Sequence, residues 1–167
     1  MVNISRKITM VNKFETFQKK CIKWIVSEQN IRYYTYSIYI RKCRQVNLLP
    51  LAKRFELNDL ILFHKVIYNL IPLNLPSYLS FYTGGSRLRS SHLDSLSIVS
   101  NIQSRTITNS YLKKSFFYRT HTEWNALPFH LREIHVPSLF KIKVIKYFWI
   151  HILQDLDDLG EGDYWSE

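Results

Sequence analysis

Lys113-Lys114-Ser115-Phe116-Phe117-Tyr118-Arg119-Thr120-His121-Thr122-Glu123-Trp124-Asn125-Ala126-Leu127-Pro128 reads as most of an aromatic helix, expected over Ser110–Ala126, with a hard stop. Phe117, His121 and Trp124 recur at helical spacing and therefore share one face. Asn125 can close the helix in a left-handed turn, and Pro128 drives Leu127 out of the helical region. The proline-bounded connection from Pro128 to Pro137 then reverses the chain, and Pro137-Ser138 opens a last helix over 138–153. Phe140, Val144, Tyr147, Phe148 and His151 share the buried side expected of that helix. Trp124 is expected to fill the joint between the two.

Upstream, residues 13–28 read as an amphipathic helix closed by Asn30, with Phe14, Phe17, Cys21, Trp24 and Ile25 on its apolar stripe. Residues 34–46 fit a strand by Tyr34, Tyr36, Ile38 and Ile40, and a helix by Tyr36, Tyr39, Ile40 and Cys43; we take helix. Pro50 suits a helix start. Residues 50–70 form the longest helix, with Leu51, Phe55, Leu62 and Val66 as its stripe and Leu60, Phe63, His64 and Ile67 broadening it. Pro72 and Pro76 end it, with a short helical turn near Ser77–Phe81. Leu96–Val99 and Arg105–Thr108 in the irregular stretch from Thr83 to Asn109 read as short strands that could pair, or as part of a mobile basic arm.

The fold class is therefore mainly α: a single domain of four to five helices with an irregular or weakly β insert at about residues 83–109. Residues 1–12 form an N-terminal extension, 13–153 the basic helical body, and 154–167 an acidic, disordered tail. The expected core contains Trp24, Phe55, Leu62, Val66, Phe117, Trp124, Phe140 and Val144. With 46% hydrophobic residues and only four glycines in 167, the chain has the means to pack regular elements.

The net charge of +10 conceals an asymmetry. Six of the 13 acids lie at or beyond Asp155, where no Lys or Arg occurs. Residues 1–154 thus set 23 basic side chains against seven acids, a net of +16, and the remainder carries −6. Such a body suits a polyanion, most often nucleic acid. The candidate phosphate contacts are Arg41, Lys42, Arg44, Lys53, Arg54, Arg87, Arg89, Arg105, Lys113, Lys114 and Arg119. Tyr82, Tyr111 and Tyr118 could stack on unpaired bases. Arg119 could also pair with Glu123 one helical turn on.

Catalytic patterns are weak. Asp157-Asp158 is the only adjacent acidic pair, and it sits in a glycine-containing tail rather than a strand–turn–strand. His130 and His135 would need two further ligands to hold zinc, and Cys21 and Cys43 lie in a distant segment as reduced thiols. His64 and His151 lie on apolar helix faces, as core or boundary residues. No nucleophile elbow or phosphate-binding glycine loop appears, and Gly84-Gly85-Ser86 is poor support for one. No cofactor, metal, small-molecule substrate or catalytic residue is expected of this chain. Neither a signal-peptide core nor a membrane span is read, which points to the cytoplasm or nucleus.

Several segments in order resemble the C-terminal region, downstream of the polymerase palm, of reverse transcriptase polyproteins from non-LTR (LINE-type) retrotransposons. The family's Ser-Phe-Phe-x-Arg and Trp-Asn-x-Leu-Pro stretches are matched by Ser115, Phe116, Phe117, Arg119, Trp124, Asn125, Leu127 and Pro128. Lys13–Trp24, with Phe17-Gln18-Lys19-Lys20, is similar to its basic helix after the polymerase core. Tyr39-x-Arg41 through Leu48-Leu49-Pro50-Leu51 matches a further segment, imperfectly in its first half. Asp59-Leu60 through Lys65-Val66, then Arg87, Arg89 and Ser90, then Ser138-Leu139-Phe140-Lys141 follow; Ser86 stands where threonine is usual. The resemblance implies a parent RNA-directed DNA polymerase, a transposable-element protein whose metal-binding carboxylates lie outside this chain. This chain would be its non-catalytic part, giving accessory binding of template RNA or target DNA. The alternatives are a stand-alone basic nucleic-acid-binding or protein-interaction domain, or a relic of a truncated element.

Overall fold

The computed structural model describes residues 3–26, 35–84, 93–101, 112 and 114–158, with side chains in the first helix from Lys13 onward and in the last helix up to Leu156. Those residues are mainly helical. Six helices occur among them: α1 Asn3–Ile25, α2 Tyr36–Gln45, α3 Leu51–Ile67, α4 Phe116–Ala126, α5 Phe129–Arg132 and α6 Pro137–Asp158. Two short strands, β1 Leu79–Phe81 and β2 Ile98–Ser100, pair antiparallel with Ser80 opposite Val99. Within this mainly α domain the chain forms two compact units, one of Met1–Phe55 with Ile145–Glu167 and one of Glu56–Val144.

In the first unit α1 begins ten residues before the expected start. Its inward face is also not the apolar one. Gln18 and Ile22 are buried, whereas Phe14, Phe17, Cys21, Trp24 and Ile25 are exposed, Trp24 by 85%. The reason is polar. Tyr39 and Cys43 of α2 are fully buried, and a buried phenol needs a partner. The Tyr39 hydroxyl donates to Glu15 and accepts from the Gln18 amide at 2.8 Å. The same amide reaches the Leu49 carbonyl at 3.3 Å, and Arg54 donates to the Gln18 oxygen. Glu15 also accepts from the Leu51 amide at 3.0 Å, placing a carboxylate on the positive end of α3. Desolvation, then the bond to Glu15, pushes the Tyr39 pKa well above that of a free phenol.

Asparagines close two helices. Asn47 (φ 51°) and Asn69 (φ 52°) adopt left-handed backbone after α2 and α3. The following amides, Leu48 to Cys43 O (2.9 Å) and Leu70 to Lys65 O (2.8 Å), complete the motif. Thus Pro72 and Pro76 do not end α3. Pro50 precedes its first residue and supplies a carbonyl to the Arg54 amide at 3.0 Å.

The second unit is built on the inward face of α3: Leu57, Leu60, Phe63, His64, Val66 and Ile67 are buried. Phe55 and Leu62, expected in the core, are exposed; Phe117 is half-buried, and Val66, Trp124, Phe140 and Val144 are buried. Trp124 meets Phe63 (5.8 Å between ring centres) and Phe140 (5.9 Å). It therefore sits between α4 and α6, where the sequence places it. The expected helical turn near Ser77–Phe81 is instead β1. Strand β2 falls in the expected 96–99 region but pairs with β1; the proposed partner at 105–108 lies outside the described residues. Helix α6 continues to Asp158, past the expected end at 153 and into the segment read as tail. Along it Phe148 and Ile152 are buried, while His151 is exposed.

Candidate nucleic-acid interface

The proposed basic residues separate into three groups. Arg41 and Arg44, three apart on one side of α2, are exposed. Lys114, before α4, is exposed in the other unit. Lys53 is half-buried with its ammonium 4.9 Å from the centre of the Phe148 ring. Arg41, Arg44 and Lys114 can meet a phosphate with little rearrangement, whereas Lys53 is already engaged within the fold.

A second group is committed elsewhere. Lys42 is only 4% exposed, which removes it from a surface interface. Arg54 is half-buried and donates to Gln18. Arg119 pairs with Asp59 and lies 3.9 Å from Glu123. Both the Asp-Leu element and the Ser-Phe-Phe-x-Arg element thus contribute a charge to one ion pair. Arg87, Arg89, Arg105 and Lys113, a third group, lie outside the described residues, as does Tyr111. Tyr82 and Tyr118 are half-buried. The structure adds Lys13 and Lys20, exposed on α1. Their signal in the sequence is a pair of lysines beside an apolar stripe, and the stripe is the part expected to face the interior.

The Trp-Asn-x-Leu-Pro motif is a clamp on the 94–98 segment. In the strand pairing, Tyr82 N to Ser97 O and Asn101 N to Tyr78 O are both 2.9 Å, so the N–H and C=O of Ile98 face the outer edge of β2. The Asn125 side chain takes both: its oxygen accepts from Ile98 N at 2.9 Å and its amide donates to Ile98 O at 2.7 Å. Asn125 therefore does not end α4 in a left-handed turn; it lies within the helix and serves as a one-residue strand partner. Trp124 Nε1 donates to Leu96 O at 2.9 Å. Leu127 is buried, and Pro128 supplies the carbonyl that starts α5, accepting from Leu131 N at 3.0 Å. From α5 the buried Arg132 donates to Leu127 O (2.9 Å), Ser97 Oγ (3.1 Å) and Asp94.

His64 is a fully buried titratable group of this unit. It stacks on Phe140 at 4.3 Å, and its Nε2 lies 2.6 Å from Ile134 O. A carbonyl only accepts, so Nε2 carries the hydrogen and Nδ1 is bare. Desolvation lowers its pKa below 6.5, His135 and Lys65 add to this, and the Ile134 bond opposes it. The folded state thus resists a proton that the unfolded chain accepts. The His64 contribution is complete above 6.5 and is lost as pH falls toward the lower folded value. Urea midpoints should therefore fall more steeply in the native protein than in His64→Gln between neutral pH and about pH 5. Parallel pH profiles would contradict a neutral buried His64.

Among the described residues no group of three or more His, Cys, Asp or Glu is placed to share a metal ion. His130 and His135 are exposed, the latter 4.4 Å from the Tyr68 ring. No described helix is long and apolar enough to cross a membrane. No family model, curated protein or solved structure matches the chain.

Proposed function

We propose that this chain is a non-catalytic C-terminal part of a non-LTR retrotransposon polymerase polyprotein, and that it holds template RNA or target DNA beside a catalytic centre supplied elsewhere. The observation that carries the reading is charge. Residues 1–154 have a net of +16, and Arg41, Arg44, Lys13, Lys20 and Lys114 present cations to solvent. The ordered sequence resemblance supports the parentage. Residues of its most distinctive motifs pair within the fold, as Arg119 does with Asp59 and Asn125 with Ile98. Binding then falls to cations outside those motifs.

Affinity on this reading is mainly electrostatic and weakly sequence-specific. Contact with about six phosphates makes log K fall with log salt with a slope on the order of −4 to −5. Filter binding to RNA and to duplex DNA across a salt series measures it. Arg41→Ala and Arg44→Ala should each make the slope shallower by about 1, uniformly across sequences. A flat salt dependence, or no binding at low salt, rejects the proposal.

A further inference from the structure

Cations and aromatic rings repeat along the outward side of α1. Lys13 and Phe17 are four residues apart, Lys20 and Trp24 are four apart, and the second pair follows the first by seven. At 100° per residue these four side chains fall within about 60° of one another, and their sector lies opposite that of Glu15, Gln18 and Ile22. All four are exposed, Phe17 by 66% and Trp24 by 85%. Phe14, Cys21 and Ile25, also exposed, continue the apolar surface along one flank.

Other residues hold the packed side of α1. Glu15 and Gln18 are bonded to Tyr39, Leu49, Leu51 and Arg54. Lys19 reaches over the Tyr39 ring, 5.3 Å from its centre. Glu15 is the only acid among residues 13–25, so the outward sector carries cations and rings without a carboxylate.

That make-up fits one class of partner. The cations require an anion, and rings at the outermost part of the helix require flat apolar groups presented beside it. An unpaired nucleic-acid strand has both, phosphates along its backbone and bases with open faces. A duplex has the phosphates but keeps its bases stacked inside, where Phe17 and Trp24 cannot reach their faces. A bilayer takes a helix by its apolar face, with the cations on the other. Here Lys13 and Lys20 stand at the outward pole, and the far border of the apolar flank runs into the side held by α2. A second copy of α1 would set these lysines against the same lysines of its mate.

We propose that the outward side of α1 is a platform for an unpaired nucleic-acid strand, with Phe17 and Trp24 stacking on bases and Lys13 and Lys20 pairing with phosphates. Seven residues are about 10 Å of helix, close to three nucleotide steps of a strand at about 3.4 Å each. The two cation–ring pairs thus grip one strand at two places along its length. This platform rests on the nucleic-acid reading above and adds to it the kind of strand bound.

Fluorescence anisotropy of a labelled oligothymidylate, alone and annealed to its complement, tests the platform across a salt series. The full chain is compared with full-length Phe17→Leu/Trp24→Leu and Lys13→Gln/Lys20→Gln. Leucine keeps the apolar contact and removes the ring face. The aromatic variant should bind the single strand on the order of a hundredfold more weakly, because each lost stack costs about tenfold. Its duplex affinity and its salt slope should stay native. The lysine variant should make the single-strand slope shallower by about 1.4. All four side chains are exposed, so circular dichroism should find both variants folded as the native chain. Native single-strand affinity in the aromatic variant, or an equal loss on the duplex, would overturn the platform; the nucleic-acid reading would still stand if Arg41→Ala weakened binding. A native chain that binds neither form at low salt would remove both. Co-sedimentation of the native chain with phosphatidylserine vesicles, with single-strand affinity unmoved in the aromatic variant, would assign the face to a membrane instead.

Discussion

Trp124→Ala should lower stability by about 3–5 kcal/mol, the range for removing a large aromatic side chain from a packed interior. Trp124 is wholly buried, packs on Phe63, His64 and Phe140, and donates to Leu96 O. Truncation opens a cavity between α4 and α6 and leaves the Leu96 carbonyl without that donor. Trp124→Phe should cost less, because it restores much of the volume but not the hydrogen bond. Urea denaturation followed by far-UV circular dichroism measures both without relying on the lost indole. A midpoint unchanged in Trp124→Ala would remove Trp124 from the centre of its unit.

The second large effect belongs to Asp94→Ala. Arg132 is almost entirely buried, and Asp94 is the carboxylate that neutralises it. Asp94 also accepts from Leu96 N (3.0 Å) and Ser97 Oγ (3.2 Å), and so shapes the turn that Asn125 and Trp124 grip. Removing it strands a buried guanidinium, at a cost of about 3–5 kcal/mol. The Asp59–Arg119 pair provides the contrast, because the two aspartates are about equally exposed but the Arg119 side chain is 40% exposed where that of Arg132 is 4%. Asp59→Ala should cost only about 0–1 kcal/mol in a solvent-screened pair. Comparable losses in the two variants would mean that burial does not set the worth of these ion pairs.

How far the sequence could be read depends on which force decided each element. The buried side of α6 was legible at Phe140, Val144 and Phe148, because apolar residues at helical spacing face a core when no polar partner competes. The identical rule failed on α1. Phe14, Phe17 and Trp24 form as regular a stripe, yet Glu15 and Gln18 face inward, because Tyr39, Arg54 and the Leu51 amide need partners there. Those needs arise 21 to 36 residues away, and no periodicity records them. The same limit applied to the candidate contacts. Lys42 and Arg119 are as basic in sequence as Arg41 and Arg44, and only burial and the Asp59 pairing distinguish them.

Asn125 is the sharpest case. Its place before Leu-Pro suits a helix terminator, but left-handed backbone went to Asn47 and Asn69, while Asn125 kept helical geometry and gave its amide to Ile98.

Composition and spacing alone make the chain mainly helical, divide its charge into a basic body and an acidic end, and put Trp124 in the interior. Each of these follows from composition or from spacing within one element. Tertiary contacts alone set which face of α1 turns inward, join β2 to β1 and to the Asn125 side chain, and commit Arg119 to Asp59 and Arg132 to Asp94. Those outcomes rest on satisfying buried polar groups across distant segments, a condition that exists only once the segments have met.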